Sequence, residues 1–321
     1  MKSPVVILHT DNPKASRDVL EAQHPDITIH TCNSYEALPA MLTATKADVV
    51  YSVRFNASMV YPRQTLIEAD TVKWVSVGGS GTDHMHPWDV DRLTVTNAAG
   101  VAADMMAQYA LGAMLHFSLG LPNFRAAQVR HEWIAGEVEP IDGKTVLIIG
   151  LGKTGEAVAM RCKAMGLKTI GVRARPKDTP DVDQVFANDA LPDLWGQADF
   201  IVICVPLLGS TRGLVGAKAF DAMKPEAVVI DVSRGGVINE AAITTALATG
   251  AIRGAALDVF SIEPLPKDNP LWDYDNVIIT PHCSSVYNGW DLKSVVLFSE
   301  NLKRYRNGKP LKNIVNPKRG Y

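Results

Sequence analysis

A run of strand formers, Thr145 to Ile149, passes directly into Gly150-Leu151-Gly152-Lys153-Thr154-Gly155 and then into a helical stretch, Glu156 to Met165. A bare glycine triplet says little, but strand, glycine spacing and helix in this order form the dinucleotide fingerprint of a parallel α/β fold. Each glycine has its own physical task. Gly150 makes the tight turn, Gly152 lets backbone approach a pyrophosphate, and Gly155 packs helix against strand. Phosphates then lie on the helix N-terminus, where unbonded amides and the helix dipole attract anions. A glycine-rich turn without ligand is the plainer alternative, and it accounts less well for all three parts together.

About 20 residues further on, at the end of the second strand, a carboxylate for the adenosine ribose is usual in a site for NAD. This chain has Val172-Arg173-Ala174-Arg175 there. A guanidinium at that place can form bidentate bonds to a 2'-phosphate with no carboxylate to repel it. The reading is NADP(H), with NAD(H) as second choice, and a solvated surface arginine pair as the bland alternative.

The fingerprint sits in a second series of short apolar strands: Val146 to Ile149, Thr169 to Val172, Phe200 to Val205, Val228 to Val232, Ala255 to Val259 and Val277 to Thr280. They are apolar on both parities and separated by helical stretches, as in a parallel sheet covered on both faces. A first series precedes it: Val5 to Leu8, Ile27 to Thr31, Val49 to Val53, Trp74 to Val77 and Thr94 to Thr96, with helices near Ala15 to Gln23 and Tyr35 to Thr43. Strands alternating with helices argue for β-α-β units. Met106, Tyr109, Ala110, Ala113, Met114 and Phe117 have helical spacing, which predicts a long buried helix from Ala102 to Leu119 connecting the two series. A polar segment, His131 to Gly143, follows it, and a last helix is expected from Gly289 to Tyr305 before a tail that returns to the first domain. The expected architecture is α/β with two doubly wound parallel-sheet domains, residues 1-98 plus 287-321 and residues 99-286. A length of 321 residues is enough for two cores.

Composition narrows the function. With 32 basic against 34 acidic side chains and a formal charge of -2, the chain has no basic footprint for nucleic acid and no charged tail for a membrane surface. No apolar run reaches the ~18 residues of a membrane span, and Pro4 to Leu8 meets Asp11 too soon for a signal peptide. The expected compartment is the cytosol. Cys32, Cys162, Cys204 and Cys283 are widely spaced and read as reduced thiols. His84-Met85-His86 supplies only two ligands without a third nearby, so no metal site is expected.

Ligands of doubly wound sheets lie outside the carboxyl ends of the strands. Three polar residues follow predicted strands there: Arg234 after Val228 to Val232, Glu263 after the strand ending at Val259, and His282 after Val277 to Thr280. Gly235 and Gly236 beside Arg234 allow close approach of a ligand. Taken singly, each has a bland explanation: a surface ion pair, a solvated charge, a buried neutral imidazole. Together, a guanidinium, a carboxylate and an imidazole suit hydride transfer to a ketone. Arginine holds a substrate carboxylate and polarises the carbonyl, and histidine supplies the balancing proton. A carboxylate against an imidazole favours its charged form and fixes its tautomer.

Gly150 to Gly155, Asp231 to Asn239 around Arg234, Leu257-Asp258-Val259-Phe260-Ser261-Ile262-Glu263-Pro264-Leu265-Pro266 and Thr280-Pro281-His282 resemble, in order and spacing, the D-isomer-specific 2-hydroxyacid dehydrogenases. Val77-Gly78-Gly79-Ser80-Gly81-Thr82-Asp83 resembles that family's substrate loop, and Asn97 to Val101 its approach to the long helix. The resemblance covers nearly the whole chain. It implies a Rossmann dinucleotide-binding domain and a flavodoxin-like substrate domain, with reduction of a small 2-keto acid to a D-2-hydroxy acid, and the reverse. In that reading Arg234 binds substrate, His282 is the acid/base, and Glu263 is its partner. Asp258 contacts the nicotinamide, Val205 and Pro206 belong to the cofactor site, and the amides of Gly79 and Ser80 hold the substrate carboxylate.

The chain departs from that family at two places: Arg173 replaces the acidic cofactor residue, and Gln108-Tyr109 stands where Glu-His is frequent. The second is expected to touch packing or a dimer interface rather than chemistry. Formate-oxidising relatives carry glutamine at the position of Glu263, which disfavours formate. Phosphoglycerate-forming relatives have regulatory extensions, and none is expected after Tyr321. Arg54-Phe55-Asn56, past the strand Val49 to Val53, is a specificity candidate, with a plain surface loop as the alternative. Trp88, Tyr287 and Trp290 can shape a pocket or simply pack. The long helix and following arm resemble the family's dimerisation region, so a homodimer is expected. From another class comes a dinucleotide-sensing, corepressor-like binding protein, since corepressor relatives keep this fold and its catalytic residues. Turnover with NADPH and glyoxylate separates the two.

Overall fold

A computed structural model describes residues 3–53, 61–317 and 319. The chain divides into two units, Met1–Ala102 with Tyr287–Tyr321, and Ala103–Val286.

In the first unit, β1 (Val5–His9), α1 (Pro13–Gln23), β2 (Thr28–Cys32), α2 (Leu38–Thr45), β3 (Val49–Ser52), α3 (Arg63–Glu68), β4 (Trp74–Val77) and β5 (Thr94–Thr96) follow one another. The strands form one parallel sheet in the order β2-β1-β3-β4-β5, the flavodoxin-like arrangement. Alternate residues serve opposite faces. Ile7, Val50, Val75 and Val95 pack under Leu38, Leu42 and Leu66, whereas Val6, Leu8, Val49, Tyr51 and Trp74 pack against Leu20 and against Val295, Phe298 and Leu302 from the chain's return.

The second unit contains α4 (Ala103–Ser118), α5 (Leu121–Val129), β6 (Thr145–Ile149), α6 (Lys153–Ala164), β7 (Lys168–Val172), β8 (Gln184–Phe186), α7 (Leu191–Leu194), β9 (Phe200–Ile203), α8 (Ala217–Ala222), β10 (Val228–Asp231), α9 (Glu240–Ala248), β11 (Gly254–Leu257) and β12 (Val277–Ile279). Its seven strands pair in the order β12-β11-β10-β9-β6-β7-β8, all parallel. This is the doubly wound dinucleotide-binding order extended by one strand. Leu147, Ile149, Ile201, Val229 and Leu257 serve one face with α7 to α9, and Val146, Ile148, Val202 and Ile230 serve the other. On that second face Ala107, Ala110, Met114 and Phe117 of α4 meet Val158, Ala159 and Cys162 of α6, the small alanines letting the helices approach closely.

The chain returns to the first unit as α10 (Trp290–Arg306). Val295, Phe298 and Leu302 are at most 1% exposed there. Full burial of such a side chain is worth about 1.5 to 3 kcal/mol, so this helix is integral to the first core despite its distance in sequence. The tail follows it: Ile314 bridges Thr96 antiparallel, Val315 enters the core, and the Asn313 side chain donates to the carbonyls of Asn97 and Ala99.

Several features differ from the sequence expectation, among them the helix Arg63–Glu68, which was not anticipated. Gln184–Phe186 is a seventh strand, too short and too exposed to leave an apolar run. Gly120, at φ +58, ends the long helix, and Leu121-Pro122 opens a further one that periodicity did not indicate. Most strands of the second unit also end earlier than their apolar runs. β9 stops at Ile203, not Val205, and β11 at Leu257, not Val259, because apolar character continues beyond the hydrogen-bonded ladder. Asp258 and Thr280 are therefore the first residues past their strands. Among the described residues no helix is long and apolar enough to cross a membrane.

Candidate active site

The glycine loop is built as its spacing requires. Gly150 has φ +100, and a Cβ there would lie 2.9 Å from the Cys204 backbone. A Cβ on Gly155 would stand 2.0 Å from the Gly150 carbonyl oxygen, so loop and helix touch only because residue 155 is glycine. Gly152, by contrast, is bordered by open space, and it caps α6 without any side-chain hydrogen bond. Free amides and open space at the start of a twelve-residue helix fit a dinucleotide pyrophosphate. Around this cradle, Leu151 is 2% exposed and belongs to the core, so its backbone alone is available to a cofactor. Lys153 is exposed beside Glu156, and Thr154 Oγ1 lies 3.6 Å from Met106 Sδ. Val205 flanks Gly150, and the Pro206 carbonyl is taken by Thr211 Oγ1 at 2.6 Å.

Arg173 follows β7 immediately; its amide is fixed to the Phe186 carbonyl, and its Nη1 lies 3.5 Å from Thr179 Oγ1. Arg175 is exposed two residues on.

At the carboxyl edge of β10, β11 and β12, His282 and Glu263 come together: Nδ1 of the imidazole is 2.8 Å from Oε2 of the carboxylate. Glu263 Oε1 accepts the Phe260 amide at 3.0 Å. Burial pushes this carboxyl up, but the His282 and Phe260 hydrogen bonds, with the charges of His282 and Arg234, outweigh it and hold it below its ordinary value of 4.5. The two side chains are 37% and 34% exposed, so a reactant from solvent can reach the pair. The Arg234 guanidinium is half-buried, and its Nη1 donates to the Ser233 carbonyl. Its loop is pressed against Glu263's: a Cβ on Gly235 would fall 1.9 Å from the Phe260 carbonyl oxygen.

Beneath these three lies a polar layer made of Asp231, which sequence reasoning left without a role, and Asp258, which the family resemblance gave to the nicotinamide. Asp231, 2% exposed at the end of β10, accepts the Ser233 amide and hydroxyl at 2.9 and 2.5 Å. Burial pushes its carboxyl up to about 7, with the Ser233 hydrogen bonds opposing and the Asp258 charge adding. Asp258 is 1% exposed and takes Thr280 Oγ1, the Cys283 amide and the Ser284 amide at 2.6, 2.8 and 3.0 Å. Those bonds tie it to the loop carrying His282, which is work the family resemblance did not assign to it. Tyr109 also departs from expectation: its hydroxyl is 2.9 Å from Thr280 Oγ1, one bond from Asp258, instead of serving packing or an interface alone. The departure from the frequent histidine at this position was the only sequence signal.

In the first unit, Gly79 and Ser80 are exposed after β4, their carbonyls accepting the Ala98 amide and the Asn97 side chain at 2.9 and 2.7 Å. Arg54, Phe55 and Asn56 lie outside the described residues. Trp88 is a core residue stacked edge-on with His86, and the Tyr287 hydroxyl donates to the Val101 carbonyl. His84 packs edge-on against Tyr61, so the two neighbouring histidines serve different aromatic contacts.

A doubly wound unit with an open glycine cradle, and an imidazole-carboxylate pair beside an arginine on the same sheet edge, define a dinucleotide-dependent dehydrogenase architecture. The family model "D-isomer specific 2-hydroxyacid dehydrogenase, NAD binding domain" matches residues 111–284, and the chain belongs to that family. It is 36% identical over 262 residues to D-3-phosphoglycerate dehydrogenase of Methanocaldococcus jannaschii, a match covering 79% of this chain and 49% of that protein. The chain thus spans about half the length of that relative. Among solved structures, a D-isomer specific 2-hydroxyacid dehydrogenase family protein from Aeromonas salmonicida superimposes with a TM-score of 0.88 at 29% identity, over 98% of this chain and 100% of that one. An NADPH-dependent glyoxylate/hydroxypyruvate reductase from Sinorhizobium meliloti, in complex with NADP and sulfate, gives 0.81 at 26% identity, over 100% of both chains.

Proposed function

We propose that this chain is an NADP(H)-preferring reductase of small 2-keto acids, yielding D-2-hydroxy acids and working in both directions. The observation that carries the reading is the 2.8 Å contact between His282 and Glu263 at the strand edge that also bears Arg234. Membership of the family and likeness to an NADPH-dependent reductase support it. A bound nicotinamide supplies the hydride. His282 gives the keto oxygen its proton from Nε2, while Glu263 holds Nδ1 and so fixes the ring's tautomer. Arg234 grips the substrate carboxylate and polarises the ketone, and the new hydroxyl carries both the former keto oxygen and the donated proton.

The Gly150 to Gly155 loop and the α6 N-terminus are suited to the pyrophosphate, with Val205 and Pro206 beside them. Arg173 and Arg175 are suited to a 2'-phosphate. In the first unit we assign the Gly79 and Ser80 amides to the substrate carboxylate, and Arg54 to specificity.

We further infer a cytosolic homodimer. Val129, Trp133 and Val138 are 66%, 101% and 52% exposed in and after α5, an apolar series that a second copy would cover. Light scattering tests it, and a monomer would remove it. The activity is tested by turnover of glyoxylate, hydroxypyruvate and branched 2-keto acids with NADPH and with NADH. No oxidation of either cofactor by any of them would overturn the reading.

A further inference from the structure

We infer that Tyr109, Thr280 and Asp258 form a hydrogen-bonded relay whose task is to position His282; the inference rests on the proton-donor role proposed above for that histidine. The relay begins on α4 and ends in the loop after β12. Tyr109 Oη lies 2.9 Å from Thr280 Oγ1, which lies 2.6 Å from Asp258 Oδ1.

Its direction follows from proton counting. A threonine hydroxyl has one proton. Thr280 gives it to the carboxylate, so the bond from Tyr109 must arrive with the phenol as donor. Burial pushes that phenol up to about 12, the Thr280 hydrogen bond opposing, so it keeps its proton throughout the neutral range.

The strands set this contact. β11 and β12 pair with Leu257 opposite Ile279, and the next residue on each is Asp258 and Thr280. The carboxylate then gathers the loop beyond: Cys283 and Ser284 give it their amides, and the His282 amide bonds the Asp258 carbonyl at 2.9 Å. Between these anchors His282 has φ +52, a left-handed conformation unusual for a residue with a side chain. Such a conformation persists only where its surroundings over-determine it. Four hydrogen bonds on Asp258, three to its carboxylate and one to its carbonyl, provide that constraint. Tyr109 fixes the hydroxyl rotor that makes one of them, and successive hydrogen bonds of this kind strengthen each other.

None of the three residues is assigned contact with the reacting ketone. Tyr109 and Thr280 are positioning residues that act through Asp258, the residue the family resemblance places at the nicotinamide, and their loss falls on placement of the proton donor rather than on substrate grip.

The test uses the full-length chain with Tyr109→Phe, Thr280→Val, Thr280→Ser and the Tyr109→Phe/Thr280→Val double variant. Tyr109→Phe is expected to lower kcat roughly 2- to 10-fold, the loss of one neutral hydrogen bond, with KM for NADPH unchanged. The solvent deuterium isotope effect on kcat should rise, because a misplaced donor makes proton transfer slower. Thr280→Ser, which keeps the hydroxyl, should retain most of kcat, and the double variant should be no worse than Thr280→Val alone. In the cofactor-free protein, amide exchange at Cys283 and Ser284 should accelerate in Tyr109→Phe. Wild-type kcat, isotope effect and exchange in Tyr109→Phe would overturn the relay, as would strictly additive losses in the double variant. If Thr280→Val does not fold, Tyr109→Phe and Thr280→Ser decide the matter. His282→Ala serves as control: full activity there would overturn the proposed function, whereas its loss beside an unaffected Tyr109→Phe would overturn the relay alone.

Discussion

Glu263 and His282, nineteen residues apart in the chain, meet at 2.8 Å through Oε2 and Nδ1, leaving Nε2 as the imidazole atom available to a substrate. The same carboxylate is held from behind by the Phe260 amide, so the pair is oriented from two sides. An imidazole fixed at Nδ1 in this way is prepared to exchange a proton at its other nitrogen.

Replacing His282 by alanine removes the proposed proton donor. kcat for 2-keto acid reduction should fall ~100-fold or more, while NADPH binding, followed by cofactor fluorescence, should survive. Near-normal turnover would contradict the assignment.

The Glu263 carboxyl is held below its ordinary value of 4.5 in the folded protein. A carboxyl whose pKa falls on folding stabilises the native state above its unfolded pKa, and that contribution disappears as pH drops through the folded value. The Tm of the wild type minus that of Glu263→Gln should therefore be largest near neutral pH and shrink below about 4.5. A difference that grows on acidification would reverse the sign and refute the pairing as the cause.

Arg234→Lys keeps the charge and loses the planar fork. Lysine's point charge cannot grip a carboxylate and an adjacent ketone oxygen bidentately, so KM should rise and kcat fall together. Unchanged kcat/KM for every 2-keto acid tested would exclude substrate contact by this residue.

The proposed preference for NADPH rests on Arg173. One charge-assisted hydrogen bond to a 2'-phosphate is worth ~1.5 to 3 kcal/mol, which favours NADPH by roughly 10- to 150-fold. Arg173→Asp should collapse or invert that ratio of kcat/KM values. Equal wild-type efficiency with NADH, or a ratio indifferent to the substitution, would sink the preference.

Gly235→Ala probes the contact between the Arg234 and Glu263 loops. Its Cβ would fall 1.9 Å from the Phe260 carbonyl oxygen and 2.1 Å from the carbonyl carbon, so backbone must move. Overpacking of this kind costs about 1 to 3 kcal/mol, and Phe260 is the residue whose amide holds Glu263. Thermal melts should show the stability loss and steady-state assays a lower kcat. A variant unaltered in both would show that the loops are not coupled.

Much of this molecule was legible in its sequence because the signals were local. Strand, glycine loop and helix are contiguous from Thr145 to Met165, so the cradle could be read residue by residue. Arg234, Glu263 and His282 each follow a β run closely enough for strand ends to place them on one edge. Strand ends themselves were less legible, since Val205 and Val259 continue an apolar run after the ladder has stopped. Gln184–Phe186 went unseen because its place at the sheet's edge does not require buried side chains on both faces.

By itself, then, the sequence determined the two parallel-sheet units, the glycine turn at Gly150 to Gly155 and the identity of the polar residues at the sheet edge. Those depend on periodicity, glycine sterics and residue type, all written along the chain. Only the tertiary structure decided which of the polar groups touch. Tyr109 meets Thr280 across 171 positions because α4 packs over the sheet, and Asp258 meets Thr280 because parallel register places the residues after Leu257 and Ile279 side by side. Register and packing arise from hydrogen bonds and contacts between distant segments, and no local pattern records them.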